Sequence, residues 1–284
     1  MKFFTKRFLL NHSMKQSSYN NQLVSYVYDD VTRNILVKGN HEKNIQEISI
    51  NFLKKNKIKF KNLIDCGAHI GTSTLNLEKE FQKIYSIEAM EKSFQLLVIN
   101  TKEYEKIVPI HASLSEKNET KELSFNKNFI CGAGFNKNSE FKLNVQTTTL
   151  DELFKNKDLS NLSLKLDLEG HEFEVLKGSQ KIIDQYRPII FVEINKNKIN
   201  NGSSDVFNFL KKNNYRFFNA QPKNIMLIYF LRTKLYYFLS NFSFFNKLEI
   251  IEIKKLLGVY DLYPFLICVP EENIETDWRD VRVV

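Results

Sequence analysis

Asn62-Leu63-Ile64-Asp65-Cys66-Gly67-Ala68-His69-Ile70-Gly71 is the stretch that decides the fold. A short apolar run ends in an acid and stops at a glycine, which is the pattern of a buried strand. A second glycine follows four residues later, and helical spacing begins there and continues over 71–80. Gly67 and Gly71 allow a tight backbone turn with no Cβ facing a ligand. The helix start beyond them offers unpaired N–H groups that attract carboxylate or phosphate.

Outward from this turn the chain alternates. Lys83–Glu88 reads as a second strand and Glu91–Tyr104 as a helix, with Phe94, Leu97, Val98 and Thr101 on one face; Ile107–Ala112 reads as a third strand. Strand and helix in this rhythm predict βαβ units, a parallel sheet and right-handed crossovers. The rhythm breaks over 113–148. There, Glu122–Phe125 and Phe141–Thr147 predict a β-hairpin around a polar loop, Asn126–Glu140. The loop carries Cys131-Gly132-Ala133-Gly134, read either as a flap over the site or as a surface turn. At Thr149 a Glu follows three residues on, a capping box that predicts a helix start. Leu162–Leu168 is the fourth strand, Glu172–Tyr186 a helix and Pro188–Ile194 the fifth strand. Asp205–Asn213 then reads as a helix, and Tyr215–Asn219 and Pro264–Val269 as further strands.

Two regions fall outside the rhythm. Residues 1–60 read as an N-terminal flank or lid, with strands at Gln22–Val31 and Asn34–Val37 and a helix at Asn44–Asn56. The remainder, 61–284, reads as one domain with a hairpin insertion at about 114–148 and a helical insertion at about 225–258. Ile225–Leu257 is rich in Phe, Tyr and Leu. It predicts helices that cover the sheet or meet another subunit; an apolar acceptor pocket or a membrane-surface patch is the alternative.

With 43% hydrophobic residues the chain can build a core. Its net charge of +8 comes from 34 Lys against 7 Arg, a solvated surface rather than the bidentate phosphate-reading face of a sequence-specific nucleic-acid binder. Three scattered cysteines, Cys66, Cys131 and Cys268, suggest neither disulfides nor a zinc site and fit a reducing cytoplasm. No uncharged apolar stretch reaches 18 residues, so no transmembrane span is expected; peripheral membrane contact and homo-oligomers stay open. The basic start MKFFTKRFLL lacks a cleavage site and does not read as a signal peptide.

The second strand ends in Glu88, 17 residues after Gly71. An acid there can accept hydrogen bonds from both ribose hydroxyls of a nucleoside and repels a 2′-phosphate. The glycine spacing is G-x-x-x-G, not the dinucleotide G-x-G-x-x-G, and no P-loop Lys follows. D-x-G-x-x-x-G instead suits S-adenosylmethionine, which has no pyrophosphate to cradle.

A second acidic cluster, Lys165-Leu-Asp-Leu-Glu-Gly-His-Glu172, ends the fourth strand at the carboxyl edge of the sheet, where open α/β folds bind ligands. If the strand runs that far, Asp167 and Glu169 share one side of it. The cluster can supply a general base or bind a divalent cation. Glu172 reads rather as a favourable acid in a helix's first turn.

The order DCGAHIGTST, YSIEA, Ala112-Ser113, TTTLDEL, LKLDLEGHEFEVLKGS and RPIIFVEIN resembles the FkbM family of methyltransferases over about residues 60–195. The resemblance implies an α/β, Rossmann-like class I methyltransferase fold: a mostly parallel seven-stranded sheet with one antiparallel strand and helices on both faces. It implies S-adenosylmethionine as cofactor and O-methylation of a sugar, glycan or secondary-metabolite hydroxyl. Asp65, Gly67, Gly71, Glu88 and Ser113 are implied to line the cofactor site, with His69, Ser73, Ala89, Ala112 and Asp167 completing it. His69 stands where the family often has Asn. Asp167 and Glu169 are implied near the reacting centre, and no metal ligand set is evident.

A sugar hydroxyl is a weak nucleophile, so a base is expected to help. Asp167 and His171 are the candidates, with Glu193 in reserve. The rivals are a nucleic-acid methyltransferase, an NAD-linked oxidoreductase and a non-catalytic module of a glycan assembly system. No Pro-Pro or Pro-Cys pair occurs, which weighs against the amino- and C5-methylating enzymes of DNA.

Overall fold

A computed structural model describes residues 23–26, 30–38, 40–126, 129–135, 139–222, 248–256, 262–275, 278 and 281–283. The chain divides into two compact units. Met1–Lys43 with Phe60–Pro188 form the first; Asn44–Lys59 with Ile189–Val284 form the second. Helix α1 (Asp30–Lys38) belongs to the first, and α2 (Lys43–Lys55) falls almost wholly in the second. The strand expected at Asn34–Val37 is therefore helix. Its Ile and Val content favours strands, but Val31 and Ile35 also recur at helical spacing, and that period prevails.

The first unit opens with the expected alternation: β1 (Asn62–Cys66), α3 (Thr72–Leu77), β2 (Lys83–Glu88), α4 (Glu91–Thr101) and β3 (Ile107–His111). A small sheet follows, built from β4 (Ser113–Leu114), β5 (Thr120–Asn126), β6 (Phe129–Phe135) and β7 (Phe141–Thr148) in the order β4-β7-β5-β6. The predicted hairpin is present as the antiparallel pair β5–β7, with Leu123 opposite Leu143. The polar loop between them is not a loop throughout. Phe129–Phe135 turns back onto β5, so Cys131-Gly132-Ala133-Gly134 lies in a strand, with Gly134 opposite Ser124. Two glycines weaken strand propensity and hid this element from the sequence reading.

Next come α5 (Leu150–Leu153), β8 (Leu162–Leu166), α6 (Glu172–Lys177) and α7 (Gln180–Tyr186). Thr149 caps α5 as expected, its Oγ1 accepting from the Glu152 N–H at 3.1 Å. The single helix expected over Glu172–Tyr186 is broken at Gly178, where a Cβ would lie 2.3 Å from the Ser115 carbonyl oxygen. Strands β8, β1, β2 and β3 are adjacent in that order and all parallel. Every residue of β1 and β8 is buried, as strands covered on both faces must be. The register sets Lys165 beside Asp65, and Asp65 beside Ser86. Register partners on neighbouring strands point to the same face, so a row of polar side chains crosses this buried layer.

The second unit holds β9 (Ile189–Asn195), α8 (Asp205–Lys212), β10 (Tyr215–Pro222), β11 (Leu248–Ile253), β12 (Leu262–Pro270) and β13 (Val281–Val283), ordered β9-β12-β10-β11-β13. Ser204 caps α8 by accepting from the Phe207 N–H at 3.2 Å. β12 runs antiparallel to both β9 and β10, as the expected antiparallel strand should. Its core is aromatic: Phe52 of α2 packs on Phe218 and Trp278, and Phe191 stacks on Phe265. Leu248–Ile253, expected to be helical, is a strand paired with β10. With β13, and leaving the small sheet aside, the described residues carry four strands in the first unit and five in the second, where a sheet of seven was expected. The rest of the expected helical insertion, 223–247, lies outside the described residues. Among the described residues no helix is long and apolar enough to cross a membrane.

Candidate active site

The first unit gathers the candidate residues at the carboxyl ends of β1, β2 and β8. After Cys66 the chain turns sharply, and the N–H groups of Gly67 and Ala68 both donate to the Ile87 carbonyl, at 3.0 and 2.9 Å. Gly67 has φ +81, and a Cβ on it would lie 1.9 Å from the Asp167 carbonyl oxygen. Gly71 has φ +93, and a Cβ there would meet Leu97 at 2.9 Å. Both glycines were read as clearance for a ligand. In both, the missing Cβ makes way for the protein itself: at Gly67 for the turn after β8, and at Gly71 for the Leu97 side chain of α4.

Glu88 at the end of β2 ties this turn to the next. Its Oε2 accepts from the His69 N–H at 2.8 Å and its Oε1 from the Met90 N–H at 2.7 Å. Burial pushes its carboxyl above the usual range, while the His69 ring and the N–H groups of Met90, His69 and Ala89 pull it back. A carboxylate offers about four acceptor positions, so two bonds leave it able to accept more. His69 itself has φ +51, which aims its N–H at Glu88. Nearby, the Ser113 hydroxyl is buried with no hydrogen-bond partner. Ala89 is held at its carbonyl by His111 Nε2 at 3.1 Å, and the Ala112 N–H donates to the Glu88 carbonyl at 3.2 Å. Ser73 is buried in the first turn of α3.

Behind this rim lies a buried charge centre. Lys165 Nζ sits 3.4 Å from Asp65 Oδ1 and 3.1 Å from Asp167 Oδ2. Asp65 is wholly buried, and its Oδ2 accepts from the Thr74 hydroxyl at 2.7 Å, which is 2.9 Å from Ser86 Oγ. Burial disfavours the Lys165 charge, but Asp167, Asp65 and Glu42 outweigh it and hold the ammonium well above its usual range. Asp65 thus anchors the centre from inside, whereas Asp167 keeps 28% of its side chain exposed and faces outward. The sequence alone assigns Lys165 no role. The signal was present: a lone charge inside a five-residue buried strand requires a partner.

β8 stops at Leu166, so strand alternation does not reach Glu169. Asp167–Gly170 is a turn in which Glu169 has φ +56 and Gly170 φ +96. Glu172 Oε1 closes it by accepting from the N–H groups of Leu168 and Gly170 at 2.9 and 3.0 Å, a positioning task. His171 is buried as well. Its Nε2 lies 3.1 Å from Ser115 Oγ, its Nδ1 3.5 Å from Glu174, and its ring 4.5 Å from that of Phe135. It knits the turn to the segment after β4. Glu193 belongs to the second unit, hydrogen-bonded by Asn195 at 2.8 Å.

Residues 23–26 run across α4 toward the turn after β1. Asn100 exchanges two hydrogen bonds with the Val24 backbone, at 2.7 and 2.9 Å, and donates to the Ile70 carbonyl at 2.8 Å. The Tyr26 ring lies 5.8 Å from that of His69. Among the described residues no group of three or more His, Cys, Asp or Glu could hold a metal ion.

Compared with known proteins, the chain matches the sequence profile described as "Methyltransferase FkbM domain" over residues 65–217. None of the curated proteins matches it. Among solved structures it is similar to the FkbM methyltransferase of Methylobacillus flagellatus KT, with 14% identity and a TM-score of 0.37, over 66% of this chain and 48% of that one. It thus spans about half the length of that relative. It is also similar to magnesium protoporphyrin IX methyltransferase of Synechocystis PCC 6803, with 9% identity and a TM-score of 0.42, over 95% and 96% of the two chains. An rRNA methylase of Streptococcus thermophilus gives 12% identity and a TM-score of 0.38, over 80% and 96%.

Proposed function

This chain belongs to the FkbM methyltransferase family, and from that premise we propose that it transfers a methyl group from S-adenosylmethionine to a hydroxyl oxygen of a sugar, glycan or secondary metabolite. Glu88 carries the reading. Its two oxygens are fixed by backbone N–H groups and keep acceptor capacity toward the space beyond β2, as gripping two ribose hydroxyls requires. The orphaned Ser113 hydroxyl fits the same ligand, since a buried polar atom without a partner is costly unless something binds it.

S-adenosylmethionine supplies an activated methyl group on a sulfonium. The protein's task is alignment, which can contribute several kcal/mol. Gly67, His69 and Gly71 shape the turn that receives the amino-acid end, with Ser73 in the helix start; Glu88 and Ala89 hold the ribose, and Ala112 and Ser113 border the base. Asp65 contributes from behind, by fixing Lys165 and Thr74. Asp167, paired with Lys165, orients the acceptor hydroxyl with Glu169 beside it. Acceptor identity, self-association and any contact with a membrane surface belong to the same proposal. So does a cytoplasmic location, in keeping with the free thiols of Cys66 and Cys268.

The test is methyl-labelled S-adenosylmethionine incubated with panels of sugars, oligosaccharides and polyhydroxylated metabolites. An alkali-stable methyl ether is the expected product. Label on nitrogen or carbon, or none on any acceptor, contradicts the reading.

A further inference from the structure

Residues 23–26 have no task in the reaction above, and their path is fixed by α4. Asn100, one residue before that helix ends, uses its whole side-chain amide. Its Oδ1 accepts from the Val24 N–H, and its Nδ2 donates to the carbonyls of Val24 and Ile70. One amide thus holds both the Val24 backbone and the turn after β1. Two residues on, the Tyr26 hydroxyl lies 3.2 Å from that of Ser93, which is wholly buried in the first turn of α4. From Asn100 back to Ser93 the helix rises about 10 Å. The segment therefore runs against the direction of α4 and brings Tyr26 to the carboxyl edge of the sheet, where β2 passes into that helix.

At that edge the Tyr26 ring lies 5.8 Å from the ring of His69, tilted by 31°. His69 belongs to the turn after β1, and Ser93 to the helix after β2. Glu88 joins the same two segments through the N–H groups of His69 and Met90. Tyr26 is a second link between them, made by side chains and supplied from a distant part of the sequence. It is only partly buried.

We propose that Tyr26 is a binding residue for the methyl donor, closing the end of the site that takes the donor's amino-acid portion. This rests on the reading under Proposed function, which assigns that portion to the turn of Gly67, His69 and Gly71. The portion carries an ammonium and a carboxylate. An aromatic ring attracts the first and keeps water from the hydrogen bonds of the second. The ring of His69 then has a task besides that of its N–H: it backs the ring of Tyr26.

Two ligands test this on the full chain. S-adenosylhomocysteine carries the amino-acid portion; methylthioadenosine lacks it and keeps the adenine, the ribose and the sulfur. Tyr26→Ala should bind S-adenosylhomocysteine about 10-fold more weakly than the wild type does, and methylthioadenosine equally well. Tyr26→Phe keeps the ring and loses only the hydroxyl contact with Ser93, so it should retain most of the affinity for S-adenosylhomocysteine. Hydrogen exchange on the wild type needs no variant to fold. The amides of residues 23–26 should be slowed more by saturating S-adenosylhomocysteine than by saturating methylthioadenosine. Equal losses for the two ligands in Tyr26→Ala, no loss for either, or equal slowing of exchange by both overturns the role of Tyr26 alone. No binding of S-adenosylhomocysteine to folded wild-type protein overturns the donor reading and this inference with it.

Discussion

Asp65 and Glu88 end neighbouring parallel strands, and both are buried carboxylates, yet their surroundings assign them opposite tasks. Asp65 meets side chains, the Thr74 hydroxyl on one oxygen and the Lys165 ammonium near the other. Glu88 is held by backbone, one N–H from His69 and one from Met90, and retains acceptor capacity. A carboxylate satisfied by a buried cation holds strands together. One satisfied only in part by a turn is available to a ligand. Asp167 stands between the two cases, sharing Lys165 with Asp65 on one side and partly exposed on the other.

Removing the shared cation breaks the structural half of this contrast most severely. Lys165→Met leaves Asp65 buried without its counter-charge and should cost about 3–5 kcal/mol of stability, read by urea denaturation. Gly67→Ala strikes where the two turns meet. A Cβ there overlaps the Asp167 carbonyl at φ +81, so a loss of about 3 kcal/mol is expected in the same assay, with no loss if the turns are free to part. Asp167→Asn sharpens the intermediate case: turnover at saturating donor should fall about 100-fold while most of the protein stays folded. An unchanged rate would return Asp167 to a purely structural role. His171→Asn should do least, costing about 1 kcal/mol by weakening the Ser115 contact and leaving the pH profile of turnover in place.

The parallel half of the fold was legible because buried parallel strands are apolar runs punctuated by glycine and acid, and β1, β2, β3 and β8 appear within a residue or two of their expected bounds. The capped helix after Thr149 was legible for a local reason, a side chain reaching its own helix start. What escaped depends on partners distant in sequence. β6 is held as a strand by pairing with β5 despite its two glycines. β11 pairs with β10 in a stretch whose composition also suits a helix. The positions of Glu88 and Asp167 at the carboxyl ends of β2 and β8 could be read because each closes an apolar run. Lys165 was readable only as an anomaly. The contacts of the His171 ring with Ser115 and Phe135 carried no local sign, since both partners are distant in sequence.

The central claim is that Glu88 grips the sugar of an adenosyl sulfonium, and it is tested most directly by titrating S-adenosylhomocysteine calorimetrically into wild-type protein and Glu88→Gln side by side. The account predicts binding to the wild type and an affinity about 10- to 100-fold lower in the variant, the worth of a hydrogen bond to a charged group. Equal affinity in the two proteins, or no heat with the folded wild type, would contradict it.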